Sequence, residues 1–152
     1  APLANRLGIG QLKWELEDLA FHYIDPDTYK KIASFLAERR TEREERITQI
    51  IARLKAAFGK VNLDVDISGR AKHIYSIYLK MKRKHPDLKD IHDVSAVRVF
   101  VDKPEDCYTA LGVAHNLFEY IEEEFDDYIT KPKPNGYRSI HTAVIDPDGK
   151  HF

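Results

Sequence analysis

A chain of 152 residues, 43% hydrophobic and 11% aromatic, has the length and apolar content for one domain, or one domain with a helical appendage. No apolar run approaches the ~20 residues of a spanning helix, and no signal-peptide pattern opens the chain, which excludes a membrane protein of that kind. The single cysteine, Cys107, cannot form an internal disulfide, so a reducing cytoplasm is expected, and a net charge of -1 gives no overall pull toward nucleic acid.

In chain order, Leu12, Leu16, Leu19 and Tyr23 recur at helical spacing and predict a helix over 11–23, with Trp14 nearby. Asp25-Pro26 reads as an N-cap and first-turn proline leading into Tyr29, Ile32, Phe35 and Leu36. Thr41 with Glu44 predicts a capping box, and the next helix runs through Ile47, Ile50, Ile51, Leu54 and Phe58 to stop at Gly59. The period then changes. Val61, Leu63, Val65 and Ile67 alternate with polar residues as a half-buried strand, which Gly69 ends before a basic helix. Residues 94–101 form a nearly continuous apolar run, predicted as a central strand covered on both faces. Pro104 opens a helix through Tyr108, Leu111, Ala114 and Phe118, and TKPKPNGY must be a loop. A strand over 138–145 and a turn at Asp146-Pro147-Asp148-Gly149 complete the chain. Helices followed by mixed strands and helices predict an α+β fold with a mixed β-sheet flanked by helices, and an N-terminal helical segment over 1–58 ahead of a domain over 59–152. The chain opens without a starting Met and stops at GKHF, so a piece of a longer protein is expected.

Charge is segregated locally. Between residues 69 and 85 lie Arg70, Lys72, Lys80, Lys82, Arg83 and Lys84 and no acid, whereas Glu119, Glu122, Glu123, Glu124, Asp126 and Asp127 cluster without a base. On a helix advancing about 100° per residue, Ile74, Ile77, Tyr78 and Met81 share one side, and Lys72, Ser76, Lys80 and Arg83 form a stripe opposite. Three cations and a hydroxyl along one line suit a polyphosphate; a solvated lysine face is the alternative. Asp93, at the mouth of the buried strand, is placed for a hard metal such as Mg²⁺, and Arg98 within that strand needs a partner or ligand; a structural Asp93–Arg98 pair is equally open. In the loop, Lys133, Asn135 and Tyr137 sit on a stiffened backbone that could hold a ring against a base, with His141 on the strand beyond; an ordinary turn with Tyr137 in the core is the alternative.

The segments GRAKHIYSIYLKMKRK, DVSAVRV and EFDDYITKPKPNGYRSIHT, in that order, resemble the successive signatures of the synthetase domain of the RelA/SpoT family. ANRLGIGQLKWELED is similar to the segment that joins that family's hydrolase-type domain to the synthetase. The resemblance implies a nucleotidyltransferase-like fold and transfer of pyrophosphate from ATP to the ribose 3′-oxygen of GDP or GTP, making the alarmone (p)ppGpp of the stringent response. It implies that Arg70 and Arg98 sandwich the adenine, that Lys72, Ser76, Lys80 and Arg83 contact ATP phosphates, and that Asp93 is catalytic and binds Mg²⁺. Tyr137 would stack on the guanine, with Lys133, Asn135 and His141 in the same acceptor pocket. Glu124, Asp126 and Asp127 resemble the acidic specificity motif of the synthesis-only branch. Ribosome and tRNA contacts would belong to other domains. Ala71 stands where proline is usual and Arg138 where glutamine is usual. Members continue with a second catalytic carboxylate where this chain ends at Phe152, so the stretch alone is expected to be nearly inactive. Two other functions remain at this point: a degenerate, guanine-nucleotide-binding regulatory module, and an RNA-binding domain that uses the basic helix with Tyr75 as its solvent-side ring.

Overall fold

Asp25 caps a helix as its sequence demands: the Thr28 N–H donates to Asp25 Oδ1 at 3.1 Å, and Pro26 fills the first turn. In the computed structural model, which describes residues 1–84 and 95–152, that helix is the third of four that open the chain. They are α1 (Pro2–Arg6), α2 (Gly10–Ile24), α3 (Pro26–Glu38) and α4 (Arg40–Lys60). The remaining elements are β1 (Asp66–Ala71), α5 (Ile74–Lys84), β2 (Ser95–Phe100), α6 (Pro104–Leu117), β3 (Glu119–Asp127) and β4 (Ile140–Ile145). The fold is α+β. Among the described residues the strands pair as two antiparallel ladders, β1 with β2 and β3 with β4.

The helix over 11–23 forms, but the stripe that predicts it faces outward: Leu19 is 59% and Tyr23 88% exposed, and Leu12 and Leu16 are also exposed. The packed face carries Trp14, Asp18 and Phe21 instead. Its polar member explains the difference. Asp18 Oδ1 accepts the Tyr75 N–H at 2.9 Å, satisfying one of the first free amides of α5 from a neighbouring helix. Phe21 joins Ile32 and Ile77 in a core with Tyr29, Ile74, Tyr75, Tyr78 and Met81 packed around it. Tyr75, read as a solvent-side ring, lies 5.6 Å from Phe21 within that cluster, which removes the aromatic the RNA-binding alternative needed.

α4 drives the second core: Ile50, Leu54 and Phe58 pack with Ile67, Ala110, Phe118 and Val144. The predicted capping box is absent. A single residue, Arg39, separates α3 from α4, so Thr41 is already inside the helix and Glu44 pairs with Arg40 at 2.9 Å. Nor does the helix stop at Gly59. It runs to Lys60, and Asn62, at φ 53°, makes the left-handed turn beyond it.

The strand predicted over 61–67 begins only at Asp66, because its partner β2 ends at Phe100 and the ladder starts with Asp66 opposite Phe100. Leu63 and Val65 still pack against the core without ladder partners in β2. β1 passes through Gly69 to Ala71, so Arg70 lies on a strand and Lys72 precedes α5 rather than riding on it. Gly69 passes close under α4, where an added Cβ would lie 2.8 Å from Ile47 Cγ2. Gly69→Ala is therefore expected to destabilise the chain by about 1–3 kcal/mol, read as a lower urea midpoint; an unchanged midpoint would show that α4 yields freely.

β2 is shorter than predicted and not covered on both faces: Ser95 is buried, the next four residues are half-buried and Phe100 is exposed. The acidic run over 119–127 is the strand β3. Its ladder with β4 breaks between Ile121 and Asp126, where four residues of β3 face only Thr142. Asp146 then organises the predicted turn, accepting the Asp148 and Lys150 N–H groups at 2.9 Å each, with Gly149 at φ 78°. Phe152 bonds back to Val144 in both directions.

Candidate nucleotide site

The two ladders and α6 enclose a cavity of about 600 Å³. β1 and the segment after it bring Arg70 and Lys72; β2 brings Ala96 to Val99 with Arg98; the bulged β3 brings Glu123, Glu124 and Asp126; β4 and its approach bring Tyr137, Ser139 and His141. Apolar side chains from α4 and α6, including Leu54, Phe58 and Ala110, line the rest. Cations and acids thus sit around one cavity with an aromatic ring among them, an arrangement suited to a polyphosphate carrying a planar base.

Arg70 and Arg98 are diagonal neighbours across the β1–β2 ladder, where Ser68 opposes Arg98 and Arg70 opposes Ala96. Burial, and then the Arg98 charge, disfavour the Arg70 cation relative to water, so a stacked ring or an anion there would relieve it. The indole of Trp14 lies over both, 4.4 Å from the Arg70 guanidinium carbon and 5.9 Å from that of Arg98. Trp14 was no candidate on sequence, since helical periodicity treats it as one more apolar residue.

The loop before β4 is closed on itself. Gly136, at φ 79°, donates to the Lys133 carbonyl at 2.8 Å and Lys133 to the Tyr137 carbonyl at 3.1 Å. Asn135 holds that loop: its amide donates to the Asn5 carbonyl at 2.7 Å and its side-chain oxygen accepts the Tyr137 N–H at 3.1 Å. Tyr137 is 38% exposed rather than tucked into the core, and its hydroxyl lies 2.8 Å from His141 Nε2. Burial first, then Lys133 and Arg70, push the His141 pKa down, so the imidazole is neutral at neutral pH. Lys133 Nζ stands 4.5 Å from the ring centre of Tyr128 and 5.4 Å from that of Tyr137. Tyr128, edge-on to both Tyr137 and His141, is a further member of this cluster that the sequence reading did not single out.

Not every expected residue lines the cavity. Ser76 and Arg83 are exposed and Lys80 half-buried on α5, outside the lining, and Lys133 and Asn135 stand behind Tyr137. Asp127 is spent on the following turn: it accepts the Ile129 and Thr130 N–H groups and the Tyr108 hydroxyl, each at 2.9 Å. The Thr130 amide above all holds its carboxyl below the usual range. Asp93 lies outside the described residues. No group of three His, Cys, Asp or Glu able to hold a metal ion occurs among the described residues, and no helix among them is long and apolar enough to cross a membrane.

Residues 69–152 match the model of the region found in RelA / SpoT proteins. The chain is 54% identical over 150 residues to a GTP pyrophosphokinase of Photobacterium angustum and 53% identical to one of Haemophilus influenzae, in each case over 99% of this chain and 20% of the relative. It therefore spans about a fifth of the length of these curated relatives. Among solved structures, small alarmone synthetase 1 from Bacillus subtilis, bound to its product pppGpp, superposes with a TM-score of 0.54 at 23% identity, covering 80% of this chain and 70% of that one. The family match covers more than half of the chain, from the middle of β1 to its last residue, and on that ground the chain belongs to the RelA/SpoT family.

Proposed function

We propose that this region, within the longer protein, is the ATP:GTP/GDP 3′-pyrophosphotransferase centre of a synthesis-only (p)ppGpp synthetase. One observation carries the reading: Arg70 and Arg98 from one ladder and Lys72 just beyond it share a cavity with His141 from the other ladder and Tyr137 from the loop before it. That cavity offers a cationic subsite and an aromatic subsite side by side, as a reaction between two nucleotides requires. The similarity to GTP pyrophosphokinases supports the same activity.

In this reading the acceptor 3′-oxygen attacks the β-phosphorus of ATP, the bond from that phosphorus to the bridging α–β oxygen breaks, and AMP leaves with the bridging oxygen. As the new bond forms, the acceptor hydroxyl would pass its proton to the second catalytic carboxylate that the family resemblance places after Phe152. Arg70 and Arg98 offer planar guanidinium faces to the adenine. Lys72, with Ser76, Lys80 and Arg83 beyond it, would neutralise the triphosphate, and closure over the substrates is what would bring the last three to it. Tyr137 stacks on the guanine, held at its angle by His141 and by the loop that Asn135 and Lys133 brace. Glu124 and Asp126 border the acceptor side and favour one acceptor over another through charge.

Mg²⁺ in phosphoryl-transfer sites is held by one or two carboxylates and by substrate phosphates rather than by an all-protein cage. Asp93, which lies outside the described residues, would be a carboxylate that this chain offers such an ion. When bound, the ion would offset charge developing on the transferred phosphate. Ribosome- and tRNA-linked control would lie in the other four-fifths of such a protein.

The test is product formation. The chain extended through its next strand, given ATP, GDP and Mg²⁺, is expected to release AMP and 3′-pyrophosphorylated GDP in equal amounts. A folded chain that binds both nucleotides and forms neither would instead be a guanine-nucleotide-binding module.

A further inference from the structure

Trp14 is the single tryptophan of the chain, and α2 sets it against the two arginines of the nucleotide cavity. The indole packs back over Gly10, and the His73 ring stacks on it at 4.9 Å with planes 21° apart. α2 is pinned there through Asp18, which accepts the Tyr75 N–H and faces His73 Nδ1 at 3.7 Å. An indole and an adenine are both flat, bicyclic and electron-rich, and a guanidinium attracts either by the same stacking and cation–π forces. The indole lies 4.4 Å and 5.9 Å from the two guanidinium carbons, so a base held between the pair would have to claim guanidinium surface that the indole covers.

We propose that Trp14 is a tethered aromatic competitor for the ATP base, which reaches the paired Arg70 and Arg98 guanidiniums only when α2 lets the indole swing away. This rests on the reading above that those arginines hold the adenine, and it adds a control that the N-terminal helical segment exerts on that subsite. Movement of the indole would change ATP affinity, whereas loss of its ring alone would leave guanine-nucleotide affinity unchanged, because Trp14 makes no ring contact with Tyr137 or His141.

Calorimetry of this chain with AMPPNP and Mg²⁺, and separately with GDP, tests the idea. Trp14→Leu keeps apolar packing but removes the ring, and is expected to tighten AMPPNP binding by about 3- to 20-fold with GDP affinity unchanged. In the unaltered chain, saturation with AMPPNP is expected to raise acrylamide quenching of the indole emission, a signal that depends on no substitution. Trp14→Leu that binds AMPPNP equally or more weakly, or an indole whose quenching AMPPNP does not raise, overturns the proposal. Arg70→Ala separates the two layers. If it weakens AMPPNP binding while Trp14→Leu does not strengthen it, only the competitor fails; if Arg70→Ala has no effect in either background, the adenine assignment fails with it.

Discussion

Replacing Asp93 by asparagine is expected to lower AMP release by about 10³-fold, measured at saturating ATP, GDP and Mg²⁺ in the chain extended through its next strand. Asparagine keeps the shape of the side chain and loses its charge, so a metal would lose one of its proposed carboxylates, and the reacting β-phosphate part of its neutralisation. The fold should survive. Ser95, two residues on, is buried and accepts a hydrogen bond from Arg46 Nη2 at 3.2 Å, which anchors the start of β2 independently of residue 93. The urea midpoint should therefore stay within error while turnover disappears. A variant that keeps a tenth or more of the rate would show that residue 93 does not serve the chemistry.

Tyr137→Ala is expected to weaken GDP binding by about 5- to 150-fold, the loss of about 1–3 kcal/mol of ring–base stacking. AMPPNP affinity should not change. Tyr137→Phe separates the ring from its hydroxyl, which contacts His141; since the stacking plane remains, the expected loss is under about 3-fold. The ring is partly exposed and the loop is closed by its own backbone, so neither substitution should unfold the chain. Equal losses for both nucleotides would mean that Tyr137 shapes the cavity and does not recognise a base.

What the sequence made legible follows from local chemistry. Asp25-Pro26 and Pro104 start helices because a cap and a fixed φ act within one turn. Arg70, Lys72, Arg98, Glu124, Asp126, Tyr137 and His141 share one cavity, and the motif resemblance named all of them before any geometry was known. What was not legible depends on neighbours. The buried face of α2 includes Asp18, whose value lies in an amide some 57 residues away, so counting apolar positions selects the opposite, exposed face. The acidic run became a strand because β4 lies beside it to accept its ladder, a partner no local pattern announces. Thr41 and Glu44 have the spelling of a capping box, but α3 ends too close for a cap to form there. Trp14 escaped for the same reason as Asp18: only the pairing of β1 with β2 puts two guanidiniums beneath its ring.

Titration of GDP into the chain saturated with α,β-methylene ATP and Mg²⁺ tests most directly whether one cavity holds two nucleotides at once. The predicted result is one GDP bound per chain with the ATP analogue retained, Arg70→Ala weakening the ATP analogue and Tyr137→Ala weakening GDP. GDP that displaces the ATP analogue from the chain, or either nucleotide bound without regard to these residues, would contradict a shared two-nucleotide cavity.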